Sequence, residues 1–408
     1  MKILSFSYCY PNQSNPTWGV FVQHRVAAIG KRAEVRVVSP IPWFPLIARS
    51  QKDPGPAEDH WCGLTVYRPK FLCTPKVFKS LDGKLYRRWI QPWFDQFVDR
   101  FKPDVLDAHF VWPDGVGVAG LARRAKLPYS ITLRGKLYPC LEEASQRRQC
   151  VDALVHADLV ISVDPRMAQV AEDLGVGAER IKVIPNGVEI DRFRIGDRME
   201  ARRELGLPLD GRLIVTVAHL GQRKGHHETI AALEKLARDV NLVLVGGPGP
   251  LGGDGNNLRQ LAASHGVTDR LIIAGKQSHE LIPKYYQAAD ISVLASWREG
   301  CPNAVLESLA CGTPVVATDV GSVRWMIDDG INGRVVPVRD AEQLRDGIQR
   351  VLDDPPPSDR VRSSPVVRSW DAVAEDVLNA WTGVLHRAPM AAVVNPLSNS
   401  SRSRLECN

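Results

Sequence analysis

The chain has 408 residues, of which 44% are hydrophobic and 24% charged, a composition typical of a globular protein long enough for two domains. Its net charge of +6 suits an anionic substrate or membrane surface, but no basic run, RNA-binding motif or zinc finger supports a nucleic-acid partner. No apolar stretch is long enough for a membrane span, and we expect no signal peptide. The cysteines form no CxxC pair, which predicts reduced, structural thiols in a cytoplasmic protein.

The first residues alternate short apolar runs with a helical pattern. We predict strands over Lys2–Ser7 and Glu34–Ser39 and a helix over Val20–Lys31. Gly19, at the first turn of this βαβ unit, would let the backbone approach a phosphate or an acceptor, although a plain turn glycine fits equally well. There is no GxGxxG motif, so no nicotinamide site is predicted. Residues 40–61, rich in proline and aromatics, are predicted to form a loop.

A strand is predicted over Leu64–Pro69, and an aromatic helix over residues 81–101. Pro92 should bend this helix. The aromatic residues recur at intervals of three and four, which gives one broad apolar face. Core packing and docking on a membrane surface remain open alternatives for this face. It contains Trp89, Trp93, Phe94, Phe97 and Phe101.

Two further strands of the first half end in polar side chains. Asp104–Ala108 is followed by His109, and Ser130–Leu133 is followed by Arg134. Residues at the carboxyl ends of parallel strands face the ligand crevice, so both are candidates for the site. A structural histidine that braces a loop is the alternative for His109. Arg134 is suited to an anionic acceptor group or to bracing its loop.

A domain junction is predicted at the turn triplet Pro185–Gly187, which follows a strand over Ile181–Ile184. A charged segment begins a few residues later. The predicted order is a first domain over 1–186, a second over 187–365, a helix over 366–386 that completes the first domain, and a disordered tail over 387–408.

The second half opens with a strand over Leu213–Ala218 and then a glycine-flanked loop that leads into a helix near His226. This loop holds Arg223 and Lys224. Two cations beside a helix N-terminus suit a diphosphate and the charge that develops when it departs. A solvated basic turn is the alternative.

Two more strand ends contribute candidates. The strand Asn241–Val245 runs into a glycine-rich segment that begins at Gly246 and that we expect to clear space for a ligand. No G-K-S/T sequence closes this segment, so it is not a Walker A loop. The strand Leu271–Ala274 leads to Gly275 and Lys276.

Residues 291–336 carry the densest set of candidates. A buried strand over Ile291–Ala295 is followed by a loop and by a helix that Pro302 opens. The amides of residues 303–305 would be the free donors of the first helical turn, a favourable position for an anion such as diphosphate. Glu299 before the helix and Glu307 within it could accept hydroxyl groups on either side of that anion, although a solvated pair on an ordinary βα unit is the alternative.

This stretch, EGCPNAVLESLACGTPVVATDVGS…NGRVV, resembles the donor-site block of family 4 retaining glycosyltransferases. Similar family segments are VIPNGVEIDRF at the junction, RKG after the first strand of the second domain, and DAHFVWPDG in the first domain. The sequence departs from the family pattern at Arg134, where histidine is common, at Glu189, where aspartate is usual, and at Ser308, where alanine is usual. The resemblance covers residues 1–386 and implies the GT-B fold, an α/β architecture of two Rossmann-like, doubly wound parallel-sheet domains that face each other across a cleft.

The resemblance also implies roles for the candidates. The first domain would bind the acceptor and the second a nucleotide-diphosphate sugar, without a metal or other cofactor. The backbone near Lys276 would meet the nucleobase. The implied catalytic residues are His109, Arg223, Lys224 and Glu299; the donor-binding residues are Gly19, Gly246, Lys276, Asn303, Ala304, Val305 and Glu307; and Arg134 would bind the acceptor.

The expected activity is retaining, metal-independent sugar transfer in the synthesis of a cell-surface polysaccharide or glycolipid. We expect the acceptor to be a lipid-linked glycan. We expect the protein itself to be cytoplasmic, and peripheral contact with the inner membrane face is left open. Two alternatives are a GT-B enzyme of the nucleotide-sugar 2-epimerase type and a catalytically idle GT-B scaffold. An epimerase would convert its donor without an acceptor, and a scaffold would bind nucleotide weakly or not at all.

Overall fold

A computed structural model describes residues 1–44, 55–74, 78–135, 137–249 and 255–386. Within these residues the chain forms an eight-stranded sheet near the N-terminus, a six-stranded sheet in the second half and a small two-stranded sheet. No helix in the described ranges is both long enough and apolar enough to cross a membrane. The predicted α/β architecture is confirmed.

The first domain carries the eight-stranded sheet. The strands of this domain are β1 (Lys2–Phe6), β2 (Glu34–Val38), β3 (Ile41–Trp43), β4 (Glu58–Trp61), β5 (Leu64–Tyr67), β6 (Lys70–Leu72), β7 (Val105–His109), β8 (Tyr129–Leu133), β9 (Leu159–Ser162) and β10 (Ile181–Val183). Of these, β3 and β6 form the separate two-stranded sheet. Its helices are α1 (Val20–Gly30), α2 (Asp82–Phe101), α3 (Val116–Ala125), α4 (Leu137–Glu142), α5 (Ala144–Val155) and α6 (Pro165–Asp173).

The second domain carries the six-stranded sheet. Its strands are β11 (Arg212–Val217), β12 (Val240–Val245), β13 (Leu271–Gly275), β14 (Ile291–Leu294), β15 (Val315–Thr318) and β16 (Gly333–Val336). The helices after the junction are α7 (Arg198–Leu205), α8 (His226–Glu234), α9 (Gly255–Ser264), α10 (Ile282–Ala288), α11 (Asn303–Ala310), α12 (Val323–Met326), α13 (Ala341–Asp353), α14 (Ser358–Arg362) and α15 (Trp370–Leu385).

The order of the strands fixes where a ligand can bind. In the first sheet it is β10-β9-β8-β7-β1-β2-β5-β4, and in the second it is β13-β12-β11-β14-β15-β16. All described pairs are parallel except β4 with β5. The direction of winding reverses between β1 and β7 and between β11 and β14. The carboxyl ends of strands at such switch points leave a crevice open, and this is where α/β sheets bind ligands.

The last helix returns to the first domain. Residues Trp370, Val373, Val377 and Trp381 of α15 are buried in one apolar cluster with α1. Trp381 is 1% exposed, and its indole Nε1–H donates to Ser130 Oγ at 3.1 Å. This hydrogen bond therefore joins α15 to β8, in the middle of the first sheet.

The aromatic face of α2 packs mainly into the protein. Ile90 and Phe94 are fully buried, and the ring of Trp93 stacks on that of Phe97 at a centroid distance of 4.8 Å. Trp89 is 42% exposed. This favours the core-packing interpretation of residues 81–101, and membrane contact stays a prediction.

Two predicted loops contain regular structure. Strands β3 and β4 lie within residues 40–61, where β4 pairs antiparallel with β5 and β3 pairs with β6. The second loop is predicted over Pro355–Ser364 from its three consecutive prolines, but helix α14 lies within it and begins at Ser358, directly after them. These elements are three to five residues long, too short for a periodic pattern to indicate them. Residues 45–54 of the first loop, part of the glycine-rich segment after Gly246, and the tail 387–408 lie outside the described residues.

Substitution of Trp381 by alanine should destabilise the first domain. The change removes a fully buried aromatic side chain and its hydrogen bond to Ser130, and we expect a loss of about 3–5 kcal/mol in the free energy of unfolding. Urea unfolding followed by circular dichroism measures this loss. The matched control is Leu385→Ala on the same helix, which is 38% exposed and should change stability by less than about 1 kcal/mol. Equal effects of the two substitutions would contradict the packing of α15.

Candidate functional site

Two neighbouring cavities lie in the cleft between the domains. The inner cavity has a volume of about 360 Å³ and lies at both switch points, since its lining includes Phe110 after β7 and His219 after β11. The hinge cavity has a volume of about 630 Å³ and extends along α1, the junction and α10. Phe21 and Asn303 line both cavities, so the two spaces adjoin.

The second-domain wall of the inner cavity is the loop between β14 and α11. Glu299, Asn303 and Ala304 line it. Pro302 precedes the first turn of α11, and within the described part of the chain no backbone carbonyl accepts from the amides of Asn303 and Ala304. The predicted third donor is wrong, because the amide of Val305 donates to the Pro302 carbonyl at 3.1 Å and its side chain is buried. Two amides and the helix dipole therefore face the cavity.

Lys224 and Glu299 form an ion pair in this cavity. Lys224 Nζ lies 2.5 Å from Glu299 Oε1, and the side chains are 20% and 15% exposed. Lys224 ends a short turn after β11, and Gly225 follows it with a φ of 69°. Glycine is required there because a Cβ would collide with the carbonyl oxygen of Ala295. This close approach of the two loops brings the lysine to the carboxylate.

Arg223, by contrast, does not line either cavity. Its side chain is exposed, and its carbonyl accepts a hydrogen bond from the Trp297 amide at 2.9 Å. His219 occupies the wall instead, and sequence reasoning missed it. Burial, and after it the charge of Lys224, lower the pKa of His219, so its imidazole is neutral at pH 7. The strand-end rule that singled out His109 would also have found His219, which follows β11 by two residues.

Glu307 faces the hinge cavity rather than the inner one. Its Oε2 accepts from the Tyr286 hydroxyl at 3.3 Å. Burial raises the pKa of Glu307, and His279 partly offsets this rise. The two predicted carboxylates therefore line adjacent spaces, with Asn303 between them.

The first-domain wall of the inner cavity centres on Arg134. Its Nη1 donates to Asn186 Oδ1 at 2.9 Å, and Asn186 Nδ2 donates to Asn303 Oδ1 at 2.8 Å. The guanidinium also lies over the ring of Phe21, 4.8 Å from its centroid. Burial, followed by the charge of Arg25, lowers the pKa of Arg134 to about 9, which leaves it charged at pH 7. The sequence singled out Arg134, but it gave Asn186 only a role in a turn.

His109 lies behind this wall and lines neither cavity, so the catalytic role that the family resemblance implies for it stays a prediction. The side chain has no exposed surface. Its Nε2 lies 3.0 Å from Asp107 Oδ2, and its Nδ1 lies 3.4 Å from Arg134 Nη2. Burial lowers the pKa of His109, which makes the ring neutral, with Nδ1 able to accept from the arginine. Its structural role is to brace Arg134.

Three other candidates are absent from the lining of both cavities. Gly19 has a φ of 77° and packs its backbone against the Cys9 carbonyl, and Gly246 packs against the Ala218 carbonyl in the same way. Lys276 is exposed. The two glycines allow the backbone to pack closely beside the site. For Gly19 this favours the alternative of a plain turn glycine. Neither they nor Lys276 reaches the cavities directly.

Comparison with known proteins agrees with this geometry. The family model for glycosyltransferase family 4 matches residues 20–192, and the model for glycosyl transferases group 1 matches residues 197–364. The chain is 31% identical over 363 residues to TuaC of Bacillus subtilis, named for teichuronic acid biosynthesis, which covers 86% of this chain and 89% of that protein. It is 35% identical to D-inositol 3-phosphate glycosyltransferase of Acidothermus cellulolyticus over 59% of this chain and 56% of that protein.

Solved structures share the whole fold. Sucrose-phosphate synthase from Thermosynechococcus elongatus superposes with a TM-score of 0.75 at 22% identity, over 94% of this chain and 99% of that one. Anabaena HepE in complex with UDP superposes with a TM-score of 0.72 at 20% identity, over 94% of this chain and 100% of that one. With the two family matches and the extended identity to TuaC, these findings show that the chain belongs to the family 4 (group 1) glycosyltransferases of the GT-B fold.

Proposed function

We propose that this glycosyltransferase moves a sugar from a nucleotide-diphosphate donor to an acceptor with retention of configuration and without a metal. The observation that carries the proposal is the convergence of Lys224, Glu299 and the Asn303 and Ala304 amides on one cavity. An ammonium group and two helix amides form a site for an anion that gains charge as a bond breaks. The product would enter a cell-surface polysaccharide or glycolipid, as the name of TuaC suggests.

The donor diphosphate would lie in the inner cavity against the N-terminus of α11. Lys224 and Arg134 supply positive charge to this wall, and Glu299, the one carboxylate among the described residues that line it, is paired with Lys224. Such a lining favours an anion over a divalent cation, which prefers several oxygen ligands. This supports the proposal of metal-independent transfer. Arg223 would join the phosphates only if its exposed side chain turned into the cavity.

The nucleoside would occupy the hinge cavity. Glu307 there presents a carboxylate whose Oε2 has Tyr286 as its donor, which leaves Oε1 able to accept ribose hydroxyls. Gln277 lies on the same wall, close to the backbone that the family resemblance assigns to the nucleobase. The diphosphate would then pass Asn303, which lines both cavities.

Glu299 would orient the transferred sugar, since it lines the inner cavity beside the anion site. In the retaining scheme the acceptor hydroxyl attacks from the face that the diphosphate leaves, so the bond to the leaving oxygen breaks as the new glycosidic bond forms. Lys224 would stabilise the departing phosphate and hold Glu299 in place.

The acceptor would approach along the first-domain wall. Arg134 is charged and 4% exposed, and within the described chain its Nε has no hydrogen-bond partner. A buried guanidinium with an unmatched donor favours an acidic group on the acceptor. Two relatives carry names with acidic compounds, teichuronic acid and inositol 3-phosphate. We therefore propose an acidic, lipid-linked glycan as acceptor.

Substitution of Lys224 by alanine should slow transfer by about 10²–10³-fold in kcat, because it removes a fixed charge aimed at the leaving group. The measurement is nucleotide release from a panel of UDP-, GDP- and ADP-sugars in EDTA, with a cell-envelope lipid extract as acceptor source. Lys235→Ala is the matched control, since Lys235 is 52% exposed in a surface pair with Glu342.

Unchanged rates in Lys224→Ala would refute the assignment of the anion site. Donor conversion without any acceptor would favour the epimerase alternative. Failure of every donor to bind would favour the scaffold. Proton NMR of the glycosidic product tests retention, because the anomeric coupling of product and donor should match.

Substitution of Glu307 by glutamine should weaken donor binding and yet stabilise the empty protein at pH 7. Burial raises the pKa of Glu307 above its usual 4.5. Between the pKa of the unfolded chain and the higher pKa of the folded protein, the folded protein therefore keeps a proton that the unfolded chain has lost. Stability is therefore lost as pH rises, and an ionised Glu307 destabilises the fold at pH 7. The glutamine removes that cost.

Thermal unfolding at pH 7 and pH 4 measures this effect. The stabilisation by Glu307→Gln should be present at pH 7. It should shrink at pH 4, because buried Glu307 is then protonated and as neutral as the glutamine. Glu375→Gln, at an exposed position of α15, should change neither the melting temperature nor donor affinity. Loss of stability at pH 7 would show that Glu307 is a structural carboxylate.

A further inference from the structure

A second cluster of polar side chains lies at the junction, outside the proposed anion site. His279 Nε2 lies 2.9 Å from Glu189 Oε2, and His24 Nε2 lies 3.6 Å from the same oxygen. The ligand atoms of the three residues all lie within 4.8 Å of one another. All three side chains line the hinge cavity. No local pattern in the sequence marks His24 or His279, and Glu189 differs from the family only by standing where aspartate is usual.

The three residues come from three different parts of the fold. His24 belongs to α1 of the first domain, Glu189 follows the junction, and His279 precedes α10 of the second domain. The His24 ring stacks on Trp370 with a centroid distance of 5.8 Å and an interplanar angle of 12°, which fixes its plane. Each imidazole directs its Nε2 at the same carboxylate, so the cluster is organised around one point between the domains.

Two imidazoles and one carboxylate are a ligand set that binds Zn²⁺ with one position left open. Bonds of about 2.0–2.2 Å to a tetrahedral ion place neighbouring ligand atoms about 3.4 Å apart. The two imidazole nitrogens lie 2.9 and 3.6 Å from Glu189 Oε2, close to that spacing. Arg192 also donates to Glu189 Oε2, at 3.0 Å. Arg192 is 39% exposed, so it can withdraw into solvent when a cation takes its place.

We propose that His24, Glu189 and His279 form a binding site for a divalent transition-metal ion of the Zn²⁺ type that links the two domains. The open position of the ion faces the hinge cavity, where water or a ligand atom fills it. Binding holds the domains in the present arrangement. If the nucleoside occupies this cavity, as the proposed function requires, the ion also lowers donor affinity and thus inhibits transfer.

Direct binding tests the site without a sugar donor. Tag-free, full-length protein is stripped with EDTA, dialysed and titrated with Zn²⁺ by calorimetry, and Co²⁺ absorption in the visible region reports a tetrahedral site of imidazole and carboxylate. We expect one ion per chain at this site. His24→Gln and His279→Gln should each weaken binding by more than about tenfold, because each removes one of three ligands.

The matched control is His265→Gln. His265 also pairs with a glutamate, Glu234 at 2.7 Å, but on the surface of the second domain and without a second histidine. This variant should bind Zn²⁺ like the parent protein. His279 is 41% exposed, so its variant keeps the fold even if His24→Gln, which loses the contact with Trp370, does not.

No Zn²⁺ binding at micromolar protein, or binding that folded His279→Gln retains in full, would overturn the proposal. Because the readout is binding of the metal alone, failure of all donor sugars to bind leaves this result intact. Conversely, Zn²⁺ binding without any effect on donor affinity would support the metal site while placing the nucleoside elsewhere.

Discussion

Two hydrogen bonds link three side chains across the cleft and fix the two domains relative to each other. Arg134 donates to Asn186, and Asn186 donates to Asn303, at 2.9 and 2.8 Å. The three residues belong to the first domain, the junction and the first turn of α11. Because both hydrogen bonds are partly or fully buried, loss of any member would leave a polar group without a partner. The two cavities depend on this connection, since Asn303 lines both of them.

The close approach of the domains has a steric basis as well. A Cβ at Gly300 would lie 3.1 Å from the Cα of Gly135, so glycines on both sides let the loops nearly touch beside Arg134. The loop with Gly300 follows β14 at the switch point of the second sheet, and the loop with Gly135 follows β8, the neighbour of β7 in the first sheet. The pairing of Lys224 with Glu299 then follows from the collision that Gly225 avoids at Ala295. Backbone packing of the loops thus holds the charged side chains in position before a ligand binds.

The sequence was informative where the signal is local. Strand ends and a helix opened by Pro302 correctly placed Lys224, Glu299 and the first amides of α11 around one space. It failed where the outcome depends on contacts between distant residues. Asn186 and Asn303 are 117 positions apart, and no local pattern pairs them. Burial behind Arg134 removed His109 from the cavity surface, and a single hydrogen bond to Pro302 removed the amide of Val305. Short elements such as β4 and α14 depend on neighbours in space rather than on periodicity.

The proposed function requires that the anion site between Lys224 and α11 holds the donor diphosphate. A crystal structure of the protein with a nucleoside diphosphate, grown in EDTA, tests it most directly. We expect phosphate oxygens within hydrogen-bond distance of Lys224 Nζ and of the Asn303 and Ala304 amides, with the ribose hydroxyls on Glu307. A nucleotide bound with its phosphates away from α11, or with its ribose distant from Glu307, would contradict it.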